Sequence, residues 1–288
     1  MQEKSVFEKI IGTSVHIKVT DIGASSIATD IPPPYLTLLR AGSADIVGFE
    51  PHAEALTALN QTKGPNETYL PHAVADGGRH TLHCCVASGM TSLLTPNPEV
   101  LKLFHQFPLW GHVLSTEALD TVRLDDVEET KGTDMLKMDI QGGELMVLRN
   151  AQDRLKDVLV VHTEVSFLSM YVDQPLFADV DIFLRSQGMM FHKFDPLVSR
   201  TVVPVIVNNN IYEGIGQLFW GDAIYIRDIS RLELFTDSQL LKMAMILHEC
   251  YRSIDVAHYL LMEFDRRTGN ALAPRYLSGV TPARPPGT

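Results

Sequence analysis

Residues 134–148 read DMLKMDIQGGELMVL. An apolar run stops at Asp139, two glycines follow, and Glu144 opens a second apolar pattern with helical spacing. A buried strand, a tight turn and a helix account for that order. The same reading extends outward. Residues 14–21 (SVHIKVTD) form a β-branched run that ends in Asp21, with Gly23 in the turn beyond. Residues 44–51 (ADIVGFEP) end in Glu50, and a helix starts at Pro51. Residues 68–76 (TYLPHAVAD) read as a third strand ending in Asp76, and 157–167 (DVLVVHTEVSF) as another, carrying His162 and Glu164. Strands that are near-continuous apolar runs, alternating with helices, predict an α/β fold with a mostly parallel twisted sheet covered on both faces. Ligands of such sheets sit beyond the carboxyl ends of the strands. Here those ends repeatedly carry acids.

Other segments fill in the frame. A short helix follows the prolines at 32–34 and ends at Gly42, because proline can open a helix but not lie inside one. Residues 79–86 and 119–127 alternate and read as extended, the first as antiparallel. A helix is expected directly after Glu144, and another over 175–188 with Gly188 at its end. Residues 189–195 and 201–208 continue the sheet or lead away from it. Residues 237–267 have helical periodicity, as one long helix or as a hairpin broken near Asp255. The expected division is a Rossmann-like domain over 1–230, a C-terminal helical extension over 231–270 and a Pro-rich tail over 271–288, disordered or draped on the surface. The helical extension packs on the domain and could also build a homo-oligomer face.

Bulk properties narrow the partner. The formal charge of −11 argues against a nucleic-acid backbone, which recruits clustered Lys and Arg. Three cysteines, two of them adjacent, make neither a disulfide framework nor a zinc spacing. Free thiols and the lack of a signal-peptide core predict a cytoplasmic location. No apolar run is long enough to span a membrane.

A carboxylate ending the second strand of a nucleotide-binding sheet accepts hydrogen bonds from ribose hydroxyls, the role expected of Glu50. The first turn, Asp21-Ile-Gly-Ala-Ser, lacks the GxGxxG pattern that cradles a pyrophosphate. A nucleoside cofactor without phosphates suits it better, and S-adenosylmethionine is one.

Six segments occur in order: IVGFEPHAEALTALN (46–60), PHAVADGGRHTLHCC (71–85), GMTSLL (89–94), VRLDDV (122–127), LKMDIQGGELMVLRNA (136–151) and TEVSFLSMYVDQPLFADVDIFLRSQG (163–188). Together they resemble the FkbM-type family of S-adenosylmethionine-dependent methyltransferases, over roughly residues 44–195. The resemblance implies a Rossmann-like class I methyltransferase fold and O-methylation of a hydroxyl on a saccharide or small natural product. It implies cofactor contacts at Glu50, at Ala75 and Asp76 in the loop that meets the adenine, and at Asp139 beside the methyl group. Glu144 matches the acid opening the next helix. In the first motif the family's DVGANxG stands here as DIGASSIA, so Asp21, Gly23 and Ser25 occupy its positions while the later glycine is missing.

An alcohol nucleophile gains from a base within hydrogen-bond reach. The candidates are Asp139, Glu164, His162 and His192. No compact metal motif is present, so no metal is expected. Glu144 fits a plain helix start equally well, since the dipole there favours an anion. His162 reads more readily as a core-edge histidine than as a base. A second reading keeps the methyltransferase fold but makes it a catalytically silent binding partner in an assembly. An NAD-dependent enzyme is a third, opposed by the missing pyrophosphate turn.

Overall fold

The computed structural model describes residues 4–24 and 32–280. Its elements run α1 (Val6–Ile11), β1 (Ile17–Ile22), α2 (Leu36–Arg40), β2 (Ala44–Phe49), α3 (Ala53–Thr62), β3 (Glu67–Leu70), β4 (Ala73–Val74) and β5 (Arg79–Cys85). Two short helices follow, α4 (Pro98–Leu101) and α5 (Phe107–Trp110), then β6 (Val113–Val122), β7 (Met135–Met138), α6 (Glu144–Arg149), α7 (Gln152–Leu155) and β8 (Val160–Ser166). The chain ends with α8 (Phe177–Ser186), β9 (Met189–Arg200), β10 (Gln217–Arg227), α9 (Asp237–Tyr251), α10 (Ile254–Thr268) and α11 (Leu272–Val280).

Seven strands form one sheet in the order β3-β2-β1-β7-β8-β10-β9. The pairs from β3 through β8 are parallel, and β10 runs against both its neighbours. The chain winds outward from β1 to β3, then returns to the other side of β1 with β7. The strand order therefore reverses between β1 and β7, which is where a doubly wound sheet opens a crevice at its carboxyl edge. This is the Rossmann-like class I methyltransferase architecture. A small three-stranded sheet, β4-β6-β5, stands beside it.

Period-two alternation sorts the side chains into two cores. Val19, Ile46, Met135, Val160 and Ile224 face a core shared with α1, α9, α10 and α11. Ile22, Phe49, Met138, Val161 and Tyr225 face the other, under α6 to α8. The helices of the C-terminal extension thus share a core with the sheet. The periodic stretch 237–267 is a hairpin, broken at Arg252 in a left-handed cap and at Ser253, and α9 is fixed at its start by a capping box between Thr236 and Gln239.

Three expectations change. The run 68–76 is two strands, because Pro71 has no N–H to donate and the chain leaves the large sheet there; β4 pairs with β6 instead. The helix after Glu144 breaks at Asn150–Ala151 into α6 and α7. Residues 272–280 of the Pro-rich tail form α11, with Ala273 and Tyr276 buried and the Tyr276 hydroxyl 2.8 Å from His248 Nδ1.

Candidate functional site

On the face that packs against α9 and α10, the apolar positions give way to polar ones toward the carboxyl edge. Val19 is followed on its face by Asp21, Met135 by Lys137 and Asp139, and Val160 by His162 and Glu164. On β10, running the other way, Ile224 is followed by Asp222. Register aligns them. Asp21 pairs with Lys137, Lys137 with His162, and Asp222 with Glu164. The result is two polar tiers: Asp21, Lys137 and His162 below, and Asp139, Glu164 and Asp222 above.

The members of the lower tier are each engaged by neighbours. Asp21 Oδ2 accepts the Tyr35 hydroxyl at 2.5 Å, and Lys137 Nζ lies 3.1 Å from Asp21 Oδ1 as a charge contact out of line for a hydrogen bond. Burial works against the Lys137 charge, but Asp21, Asp139 and Asp222 hold its pKa above the ordinary lysine value. His162 Nε2 is 3.1 Å from Asp222 Oδ2, and its Nδ1 is 3.2 Å from the Tyr251 hydroxyl. With Asp222 accepting from Nε2–H, Nδ1 accepts from Tyr251, so both ring nitrogens are engaged. His192 Nε2 lies 2.7 Å from Ser253 Oγ.

The upper tier is where charge is concentrated. Gln141 Nε2 donates to Asp139 Oδ1 at 2.8 Å and to Glu164 Oε2 at 2.9 Å. Burial, then the neighbouring Asp139 and Glu144 charges, push the Glu164 carboxyl well above the usual carboxylate range. Asp139 itself is exposed at the edge. Behind the turn, Glu144 starts α6 and accepts the Ile140 N–H at 2.9 Å; burial raises its pKa to about 7.

The first turn presses on this cluster. Gly23 has φ +83°, and a Cβ there would sit 2.2 Å from the Asp139 carbonyl oxygen. Its glycine is therefore required by the β7 tip. Ala24 N donates to Phe49 O, which brings the β1 exit against the β2 exit as well. Glu50 follows directly, buried, with Oε1 accepting the His52 N–H at 2.7 Å. The tips of β1, β2 and β7 thus converge. Ala75 is buried, its N–H bonded to Val122 O. The Asp76 carboxylate is taken up by Gly78 N at 2.8 Å and His80 Nε2 at 2.7 Å, and the hydrogen bond from His80 lowers its pKa. Ser25 lies outside the described residues.

A cap rises over this edge. It joins the segment carrying α4 and α5, the loop after β8, and the tip of the β9–β10 hairpin around a core of Met90, Leu101, Phe104, Phe107, Tyr171 and Phe219. Its floor touches the Gln141 turn: Ser92 Oγ donates to Gln141 O at 2.7 Å, and Leu94 and Tyr171 lie against Gly142. Trp110 and Tyr212 stack at 5.9 Å on its side. Most exposed large apolar side chains among the described residues belong to this cap and hairpin, including Leu109, Val205, Ile206, Tyr212 and Ile215.

Of the residues expected from sequence, the structure brings Asp21, Gly23, Asp139, Glu164 and His162 together, with Glu50 on the adjoining strand end. It sets Asp76 in the loop that joins β4 to β5 of the small sheet. Lys137, Gln141, Asp222 and Tyr251 were not foreseen. Only the alternation of β7 hinted at Lys137, as a charge at a position facing the same side as Met135 and Asp139.

Among the described residues, no group of three or more His, Cys, Asp or Glu is arranged to hold a metal ion, and no helix is long and apolar enough to cross a membrane. The model of the "Methyltransferase FkbM domain" matches residues 21–190, more than half of the chain. No curated protein matches. Among solved structures, the chain is similar to magnesium protoporphyrin IX methyltransferase from Synechocystis PCC 6803 with bound SAM, at 10% identity and TM-score 0.40, over 77% of this chain and 76% of that one. It is also similar to an antibiotic-related methyltransferase at 13% identity and TM-score 0.35, over 76% and 92%. Both are distant likenesses.

Proposed function

This chain belongs to the FkbM methyltransferase family, and from that premise we propose that it moves a methyl group from S-adenosylmethionine to a hydroxyl oxygen of a small natural product or saccharide. The observation that carries the reading is the upper acid tier, Asp139 with Glu164, set at the switch point of the sheet and beneath an apolar cap. The chemistry of the donor set fits the cofactor. Glu50 is a carboxylate suited to ribose hydroxyls, and the acids outnumber Lys137 around Asp139, which suits a cationic sulfonium. When bound, S-adenosylmethionine supplies an electrophilic methyl group.

The residues of this chain supply alignment and a proton acceptor. Asp139, exposed at the edge, takes the proton of the acceptor hydroxyl as the oxygen gains its methyl group. Glu164, tied to Asp139 through the Gln141 amide, holds Asp139 in place beside the acceptor oxygen. His162, engaged at both ring nitrogens, steadies Asp222 beside Glu164. The cap offers an apolar and aromatic surface, which favours an acceptor with an apolar body over a free sugar.

A second reading, a silent member acting as a binding partner, draws on one observation: Asp21 of the first motif is fully buried and committed to Tyr35 and Lys137. Incubation with methyl-labelled cofactor and a panel of hydroxylated acceptors separates the two. Label in an apolar hydroxylated product supports transfer. No label in any product, with a folded protein, supports the silent member.

A further inference from the structure

The side chain that joins the two carboxyls of the upper tier is Gln141, and its conformation is unusual. It has φ +58°, in the region that side-chain-bearing residues rarely adopt. Such a residue persists only where its surroundings over-determine it. Here four contacts do so. Its amide nitrogen donates to Asp139 and to Glu164, its amide oxygen lies 3.5 Å from the Tyr171 hydroxyl, and its carbonyl oxygen accepts from Ser92 Oγ. An amide NH₂ has two donors, and each goes to a different carboxyl. A carboxylate at this position would have no such donor and would add a third acid to the pair.

We infer that Gln141 is a positioning residue, an amide clamp that fixes Asp139 and Glu164 as one unit. The inference rests on the proposed reading of the site and names what sets its acid–base pair. The clamp works by a simple asymmetry. A donor held against a carboxylate favours its charged form. Asp139 is exposed, whereas half-buried Glu164 is pushed upward, by burial first. The pair is also faced by Lys137 from its own strand, Glu144 from α6, Asp222 from β10 and Tyr171 from the cap. Of these, Lys137 favours ionisation, and the acids oppose it.

The test uses Gln141→Gly, since glycine adopts φ +58° freely and the turn is preserved while the amide is lost. Gln141→Glu is the companion. The readouts are the carbon-13 carboxyl titration of Asp139 and Glu164, the cofactor Kd, and kcat against pH. Because the two carboxyls interact, the titration reports apparent values of the pair. In Gln141→Gly the lower apparent pKa of the pair rises, and in Gln141→Glu it rises further. The acid limb of the kcat profile moves the same way, kcat falls roughly ten- to a hundredfold as expected for hydrogen bonds to a charged group, and the cofactor Kd stays at the parent value. A Gln141→Gly protein that titrates and turns over like the parent overturns the clamp. If the titration moves but the parent methylates no acceptor, the clamp stands and the reading of the reaction falls.

Discussion

Replacing Gly23 by Ala tests whether the β1 exit is wedged against the tip of β7. Two contributions can be worked out. The left-handed conformation at φ +83° is penalised by about 1–2 kcal/mol once a Cβ is present. That Cβ would lie 2.2 Å from the Asp139 carbonyl oxygen, a backbone atom that cannot swing aside as a side chain can. Relief requires the strands to part, which loosens the Asp139 N–H to Ile22 O bond of 3.1 Å, for about 1 kcal/mol more. The sum is about 2–3 kcal/mol, or a fall of roughly 5–10 °C in Tm for a chain of this size. Gly143→Ala is the control. Gly143 has φ −86°, and its nearest obstacle is the end of the Ile140 side chain at 3.1 Å, so the loss stays below about 1 kcal/mol. Urea unfolding of both variants beside the parent measures the difference. Equal and small losses in the two would refute the wedge, and with it the convergence of the strand tips.

Two further outcomes are expected. Asp139→Asn keeps the shape and the contact with Gln141 but cannot accept a proton; kcat falls about 10²–10⁴-fold, within the range of general-base catalysis, while cofactor Kd changes little. Single-turnover methyl transfer reads the first and equilibrium titration the second; parent-level turnover removes Asp139 from the chemistry. Glu144 gives a stability test with a definite sign. Its carboxyl is raised by burial from an ordinary 4.5 to about 7, against the opposing Ile140 N–H. Below pH 4.5 it is protonated in both folded and unfolded chains; as pH rises toward 7 the unfolded chain ionises first, so stability drains away across that window and levels off above it. Glu144→Gln cannot ionise and still accepts from Ile140. Urea midpoints at about pH 5 and about pH 8 therefore diverge in favour of the variant at the higher pH, and a constant difference would refute the buried acid.

The parts of this arrangement that could be read from the chain are those written locally. The run 44–49 is apolar and ends at Glu50 before Pro51, and the run 135–138 ends at Asp139 before two glycines. Each carries its own strand, stop and acid. The parts that could not be read depend on register between distant segments. Asp222 looks like a turn residue in sequence, yet antiparallel pairing sets it opposite Glu164. Tyr251 is one apolar position among many in a helix, yet it meets a histidine 89 residues earlier. Asp76 shows the reverse. It follows an apolar run as the other acids do, but Pro71 diverts the chain into the small sheet, and the carboxylate is satisfied by Gly78 and His80 just beyond it. Gly23 has a further lesson: a glycine beside a cofactor turn is also the residue that a neighbouring strand's backbone demands.

Calorimetric titration of S-adenosylmethionine into the parent and into Glu50→Ala bears most directly on the whole account. Saturable binding by the parent at one site, weakened at least tenfold in the variant, is the predicted result, consistent with the loss of hydrogen bonds to a charged group. A folded parent that gives no heat of binding across a range of temperatures, or a variant that binds as tightly as the parent, would contradict it.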